Sequence, residues 1–587
     1  MLQIKMAIRP VRPDVVLAVL LACTGQAAPQ EAASSGGLSA WLDLADGAPV
    51  AGQSFDLRLR LLDATTGEPP LGLTLRSWIR PVEAGLPACT DAARAFRATG
   101  SLPRGVLDLD APILAAVFSE GAVTLADPSL AQARATLRKA WVFSEPPVAM
   151  MADAATSSFL MAFAATGEVV RMDASDGSLT LAATGFDAPS DMIVTSHGLW
   201  VEDQTGLHLV TTERTTDLGP GTLVSASSLG VLSRSGGTLT LADLKTGLSV
   251  LQTQGDLPAA AVPDPADQDR AAGLVHAAGA TLHVAWASGA RQSIALGAAP
   301  DTLVPTEDGR SVLALDSAAG VIARVDLARG EVTEVIGDAG FAFGQALVLD
   351  GRLFLLAADA SVVAVLNLAA APDAPRWRRL TLGPPQDVLP GMRQLMTTPT
   401  RFGPVLALNP VNGLVSEIDT PEALGNAPQM SGFALRGGRP TGLATLTRSL
   451  RETDAPGIWQ TRLALPAGAH ELVVTAGIGL TLCLSLTVDG LVEATPTVQL
   501  TLADVPTSGS GHLRFRLEIP ATVARPGDTA SVTVAALGTG WRLRGLATAD
   551  SSGLFTLPVS LPGPGLYAAT PELAGIEAQA TTFEVLP

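Results

Sequence analysis

The chain has 587 residues, with 38 basic and 56 acidic side chains and a net charge of −18. Hydrophobic residues at 47% against charged residues at 16% exclude a disordered chain, and the acidic balance argues against a nucleic-acid partner, because phosphate binding needs a positive surface. Length alone allows about three to five domains of roughly 100–200 residues. The 58 glycines and 42 prolines follow no collagen period and mark many turns.

Lys5, Arg9 and Arg12 precede the apolar run Val15–Ala22, which is shorter than the roughly 20 residues that span a bilayer. A basic start, a short apolar stretch and small residues after it describe an export signal. The run ends Leu20-Leu21-Ala22-Cys23. This resembles a bacterial lipoprotein signal, which implies lipidation of Cys23 and a periplasmic or cell-surface protein held to the membrane by a lipid anchor only. Ordinary cleavage after Ala27 or Ala28 is the alternative. The expected division is a signal peptide at 1–23 and a linker at 24–37.

Ser54–Asp63 alternates polar and apolar residues, the period of a half-buried strand. A turn at 64–69 and a second strand at 73–79 follow. These are too few strands for a closed sandwich, so 38–111 reads as the N-terminal part of one. Residues 90–97 read as a short helix.

The middle of the chain repeats. The clearest copy places strands at 311–315, 321–327 and 331–336 with an Asp308-Gly309 turn before them, glycine there accepting the positive φ of a tight turn. Third-strand signals recur at 123–127, 169–173, 207–210, 239–243, 281–285, 362–367 and 414–419. Their spacing averages roughly 42 residues, within the 40–45 of a four-stranded propeller blade. The aspartate that ends several copies has a structural task, accepting N–H bonds from the turn that follows. The residues of 306–336 resemble the YVTN-type β-propeller repeat, also found in the haem-binding domain of cytochrome cd1 nitrite reductases. The resemblance covers roughly 113–447 and implies an all-β fold, with the propeller at 112–450. Eight third-strand signals predict eight blades, with seven as the alternative. Closure draws inner strands from Pro112–Ser119 and Ala122–Asp127 and a strand from Thr441–Ser449.

Beyond the repeat, strands at 459–465, 471–475 and 480–486 can complete the first set. This makes 451–505 the C-terminal part of a split immunoglobulin-like sandwich into which the propeller is inserted; two unrelated small β units are the alternative. Short strands with regular turns mark a second immunoglobulin-like domain at 510–587, with Trp541 a candidate core aromatic. With Cys23 lipidated or removed, Cys89 and Cys483 remain. Export and their places at either end of the repeat predict a disulfide between them, two buried thiols being the alternative.

Chemistry is sparse. His197, His208, His276, His283, His470 and His512 show no metal-binding spacing, and only His276 and His283 are placed to meet, across a hairpin. Asp264, Asp267 and Asp269 lie in a Pro-rich loop without a calcium-loop pattern. Trp141, Trp200, Trp286 and Trp377 read as blade-packing residues, and Arg376, Arg378 and Arg379 make a basic spot. Aromatics at 4% weaken a carbohydrate-binding reading. No catalytic residue, metal site or cofactor is expected. The reading is a non-catalytic exported lipoprotein whose propeller is a binding platform for a protein partner or small ligand, in a periplasmic or surface electron-transfer complex. The alternative is a periplasmic oxidoreductase with a propeller-bound redox cofactor such as d1 haem, for which His197, His208, His276 and His283 are the candidate axial ligands. A lactonase-type hydrolase lacks a cluster of polar catalytic residues.

Overall fold

A computed structural model describes residues 33–585 apart from 45–46, 84, 103–105, 128–136, 228, 338–339, 371–376, 387–393, 400–403, 419–429, 436–437, 478, 491–498, 507–508, 519–525, 538–540 and 573–579. Cys23, Arg376 and Asp419 lie outside the described residues. The chain divides into two compact units, one of residues 1–109 with 449–491 and one of 110–448 with 492–587.

The first unit is built from both sides of the repeat. One sheet runs in the order Ala33–Ser35, Leu38–Leu44, Ser54–Asp63, Ile458–Ala464, Arg451–Glu452. The other runs Leu480–Val488, Gly468–Ala476, Arg76–Pro81, Leu107–Asp108. The alternation in Ser54–Asp63 sends Leu57, Leu59 and Leu61 inward, where they meet Leu472, Leu482 and Leu484 of the second sheet. Each such fully buried leucine contributes about 1.5–3 kcal/mol. Ser54 to Arg60 pair in register with Ala464 to Ile458, which joins segments some 400 residues apart in sequence. The hairpin Ala33–Ser35/Leu38–Leu44 begins inside the stretch the sequence assigns to a linker. The helix forms at Cys89–Thr99, ends at Gly100 with φ 67°, and buries Cys89, Ala92 and Ala93. A disulfide joins Cys89 to Cys483, with Cα atoms 6.2 Å apart, and ties the helix to the strand Leu480–Val488.

The second unit holds eight four-stranded antiparallel sheets among the described residues. Seven are sequential, at 149–184, 191–219, 222–254, 259–295, 302–336, 343–381 and 396–434. The eighth joins Pro440–Thr447 to Pro112–Phe118, Ala122–Ala126 and Leu137–Val142. The first strand of each sheet touches that of the next, and the cycle closes on itself through Pro440–Thr447 and Ala149–Asp153. This closed ring is a β-propeller, and its last strand pairs with its first segment in register, Leu443 opposite Ala116. All eight third-strand signals fall on third strands.

The repeated aspartates fold the turns. Asp173 Oδ1 accepts from Ser175 N at 2.7 Å, Asp243 Oδ1 from Thr246 N at 2.8 Å and Asp326 Oδ1 from Ala328 N at 2.9 Å. Asn367 and Asn409 make the same turn through their amide oxygens.

Residues 499–585 form a seven-stranded sheet in the order Gln499–Asp504, Gly509–Glu518, Phe555–Leu561, Arg542–Ala549, Thr529–Ala536, Gly565–Glu572, Thr581–Val585. Its two edge strands touch, so it curls around Phe515, Phe555, Tyr567 and Phe583. Strand Gln499–Asp504, assigned by sequence to the split sandwich, pairs with Gly509–Glu518 and extends this domain toward the N-terminus. Trp541 packs edge-on to Tyr567 at 6.1 Å. The domain rests on the eighth sheet of the ring. Leu537 and Ala568 join its core, and Arg542 Nη2 donates to Glu120 O at 2.8 Å and to Phe143 O. No helix among the described residues is long and apolar enough to cross a membrane.

Candidate binding pocket of the ring

A pocket of ≈ 290 Å³ opens where the innermost strands of four neighbouring sheets begin. Ala149–Met151 opens the first strand of one sheet, Asp191–Met192 that of the next, and Thr441–Leu443 closes the ring beside them. Gln394 precedes the strand Met396–Thr397. The registers explain why these starts gather. Leu443 N donates to Gln394 O at 2.8 Å, and Gln345 Oε1 accepts from Leu395 N at 3.0 Å and Met396 N at 2.9 Å. A register shift between Pro440 and Gly442 bends the closing strand where it lines the cavity.

Three methionines line this space, Met150, Met151 and Met192, and Met192 is buried in the core between two sheets. Their flexible, polarizable thioethers fill irregular surfaces and adapt to what they touch. Met151 Sδ accepts from Val194 N at 3.0 Å. The polar lining is Asp191, whose Oδ1 accepts from Met192 N at 2.8 Å, with Gln394 and Thr441. The set offers shape and a few hydrogen-bonding groups. Among the described residues it contains no nucleophile beside a base.

The histidines lie elsewhere. His208 sits on a third strand, with Nε2 3.0 Å from Asp203 Oδ1 and 3.1 Å from Thr205 Oγ1. Burial pushes the Asp203 carboxyl up, but hydrogen bonds from Thr205, Asp187 N and His208 outweigh it and hold that carboxyl well below its ordinary value. Both partners share one ring nitrogen, so the trio braces a turn and forms no catalytic relay. His276 and His283 are directly opposed across adjacent strands and stack at 5.0 Å. His283 Nδ1 lies 3.0 Å from Ser293 Oγ, whereas His276 Nδ1 is buried without a partner. Burial and then the His283 charge push His276 down, with Arg291 acting the same way and Asp256 opposing. Stacked rings do not aim their lone pairs at one point, so the pair is not a metal site. His197 borders Gly247, His470 Nε2 is 2.9 Å from Pro466 O, and His512 is exposed. The d1 haem raised by the fold resemblance does not fit the pocket through a histidine ligand, because none lines it.

Asp264 and Asp267 flank a hairpin turn between Ala259–Asp264 and Asp267–Ala278. This corrects the expected loop: it shrinks to a turn at Pro265–Ala266, and Pro263 lies on a strand that pairs with register shifts on either side of it. Trp200 is buried, and Trp141, Trp286 and Trp377 pack against inter-sheet cores, as their places inside the repeat predict. Arg378 and Arg379 lie on the outer strand Trp377–Thr381. Cys89, Glu471 and Cys483 cluster, but both sulfurs are spent in the disulfide and Glu471 pairs with Arg80 at 2.7 Å. Sequence reasoning missed the pocket because its methionines carry no motif and read as ordinary strand residues.

No family model matches the chain, and no curated protein matches it. Among solved structures it is similar to apo AztD from Citrobacter koseri (10% identity, 59% of this chain and 100% of that one, TM-score 0.37). It is also similar to the dihydro-heme d1 dehydrogenase NirN in complex with DHE (14% identity, 62% and 79%, TM-score 0.41) and to Sqt1 of Saccharomyces cerevisiae (10% identity, 61% and 97%, TM-score 0.39). Likenesses this loose transfer no function.

Proposed function

We propose that this chain is a non-catalytic exported lipoprotein whose eight sheets are the blades of an eight-bladed propeller serving as a binding platform. The propeller is inserted into an immunoglobulin-like sandwich and followed by a second such domain. The observation that carries the binding role is the pocket at the start of four inner strands, where Met150, Met151 and Met192 line a concavity together with Asp191, Gln394 and Thr441. Concave sites with a few placed polar groups are how ligands are held. Export and anchoring rest on the N-terminal sequence and on Cys23. Replacing Cys23 by Ser is expected to free the protein from the membrane fraction; unchanged attachment and mass contradict the anchor.

The rival reading, a redox cofactor on the propeller, is separated by an absorption spectrum and metal analysis of protein purified from its native host. A binding platform has no visible chromophore at unit stoichiometry. A chromophore at that ratio overturns the reading.

A further inference from the structure

The five-stranded sheet of the sandwich carries a second concavity, an open cleft of ≈ 1040 Å³. Its floor is the outward face of three adjacent strands, Leu38–Leu44, Ser54–Asp63 and Ile458–Ala464, and its walls are Gly47–Ala48 and the turn around Thr453–Ala455. The period of 2 that buries Leu42, Leu57, Leu59 and Leu61 in the core turns their neighbours outward. The registers set those neighbours in two rows. Trp41, Arg60 and Ile458 form one; Asp43, Arg58 and Gln460 form the other.

The chemistry of the rows is specific. Arg58 and Arg60 stand two positions apart on one strand and face the same side, so their Cα atoms are about 6.8 Å apart. Both are exposed. Arg58 Nε donates to Gln460 Oε1 at 3.3 Å, and Arg60 has no hydrogen bond or ion pair among the described residues. Two guanidinium groups therefore face one carboxylate, Asp43, in a cleft of a chain whose net charge is −18. A carboxylate ligand complements them, because a guanidinium grips a carboxylate through two parallel N–H bonds. Beside Arg60 the half-buried Trp41 offers a flat apolar face, and Gln460, Asp43 and Thr453 line the same cleft with polar groups. A peptide is the poorer match. All three floor strands are hydrogen-bonded on both sides, so no backbone edge is open for strand addition.

We propose that this cleft binds an acidic glycan, a chain of uronic acid residues. One sugar ring lies on Trp41, and its carboxylate is held by Arg60 with Arg58 alongside. The site belongs to the sandwich.

The test is calorimetric titration of the full chain with three probes: an oligogalacturonate, the same oligomer with its carboxyls methyl-esterified, and oligoglutamate of equal charge. The proposal expects the oligogalacturonate to bind, the ester to bind at least tenfold more weakly, and oligoglutamate not to bind. Arg60→Ala lies on an exposed surface and is expected to keep the wild-type melting profile while weakening oligogalacturonate at least tenfold. Trp41→Ala is expected to weaken it further. No binding of oligogalacturonate, equal binding of the methyl ester or of oligoglutamate, or equal binding by Arg60→Ala overturns the proposal. The ester comparison needs no variant, so it decides the question even where a substitution fails to fold.

Discussion

Arg448 and Asp127 face each other at 3.6 Å with both side chains almost wholly buried. Arg448 follows the strand that closes the ring, and Asp127 follows the third strand of the same sheet. The pair therefore sits where the two ends of the array meet. Removing one partner of a buried pair leaves an uncompensated charge, at a cost of about 3–5 kcal/mol. Arg448→Met is expected to lower stability by that order in chemical denaturation. A loss under about 1 kcal/mol contradicts a buried latch.

The disulfide closes a loop of 394 residues. In chain-entropy terms such a link restricts the unfolded chain and stabilises by about 2–4 kcal/mol. Cys483→Ser is expected to lower the thermal midpoint, and a non-reducing peptide map of the protein purified from its native host is expected to recover a Cys89–Cys483 peptide. Free thiols at both positions contradict the link.

His276 gives a pH dependence. Its folded pKa lies below the ordinary 6.5 because burial, the His283 charge and Arg291 outweigh Asp256. Arg234, paired with Asp256 at 2.7 Å, adds positive charge nearby. Above about pH 6.5 the group is neutral in both states and stability is full. As pH falls below that value the unfolded chain takes up the proton first, so stability drops until the folded pKa is passed. His276→Gln is expected to reduce the fall in thermal midpoint between pH 7.5 and 5.5. An unchanged fall contradicts the assignment.

Asp203 acts on the acid side. Its Oδ1 accepts from Thr205 N at 2.7 Å and Gly206 N at 3.0 Å, and its Oδ2 from Asp187 N at 2.9 Å. The folded carboxyl is depressed below the ordinary 3.8. Its stabilisation is thus present above about pH 4 and is lost as pH falls toward the folded pKa. Asp203→Asn is expected to be less stable at pH 7 and to lose less between pH 5 and pH 3 than the parent chain. Parallel stability curves contradict this.

The ring was legible because its repeat is written in turn chemistry. Asp173, Asp243 and Asp326 stand where a side-chain carboxylate must fold the turn, each at or just after the end of a third strand. The split sandwich was legible from Ser54–Asp63, whose alternation demanded partners that the N-terminal segment lacks. Strand Gln499–Asp504 was misassigned because a lone alternating strand does not declare its neighbour; only pairing with Gly509–Glu518 does. The pocket was not legible at all. Met150, Met192, Gln394 and Thr441 come from four sheets and meet only when the ring closes. The cleft of the sandwich was hidden for the same reason. Low aromatic content argued against sugar binding, whereas one tryptophan beside Arg60 needs the register of two strands to be seen.

Site-directed photo-cross-linking tests the binding platform most directly. A benzophenone amino acid replaces Gln394 at the pocket or Val250, which is exposed on the outer strand Ser249–Gln254, and cells of the native host are irradiated before purification. Intact mass then reads any adduct, protein or small molecule. A discrete mass increase from position 394 and none from position 250 is the expected result; no adduct at 394, or the same adducts at both positions, contradicts a binding site at the ring pocket.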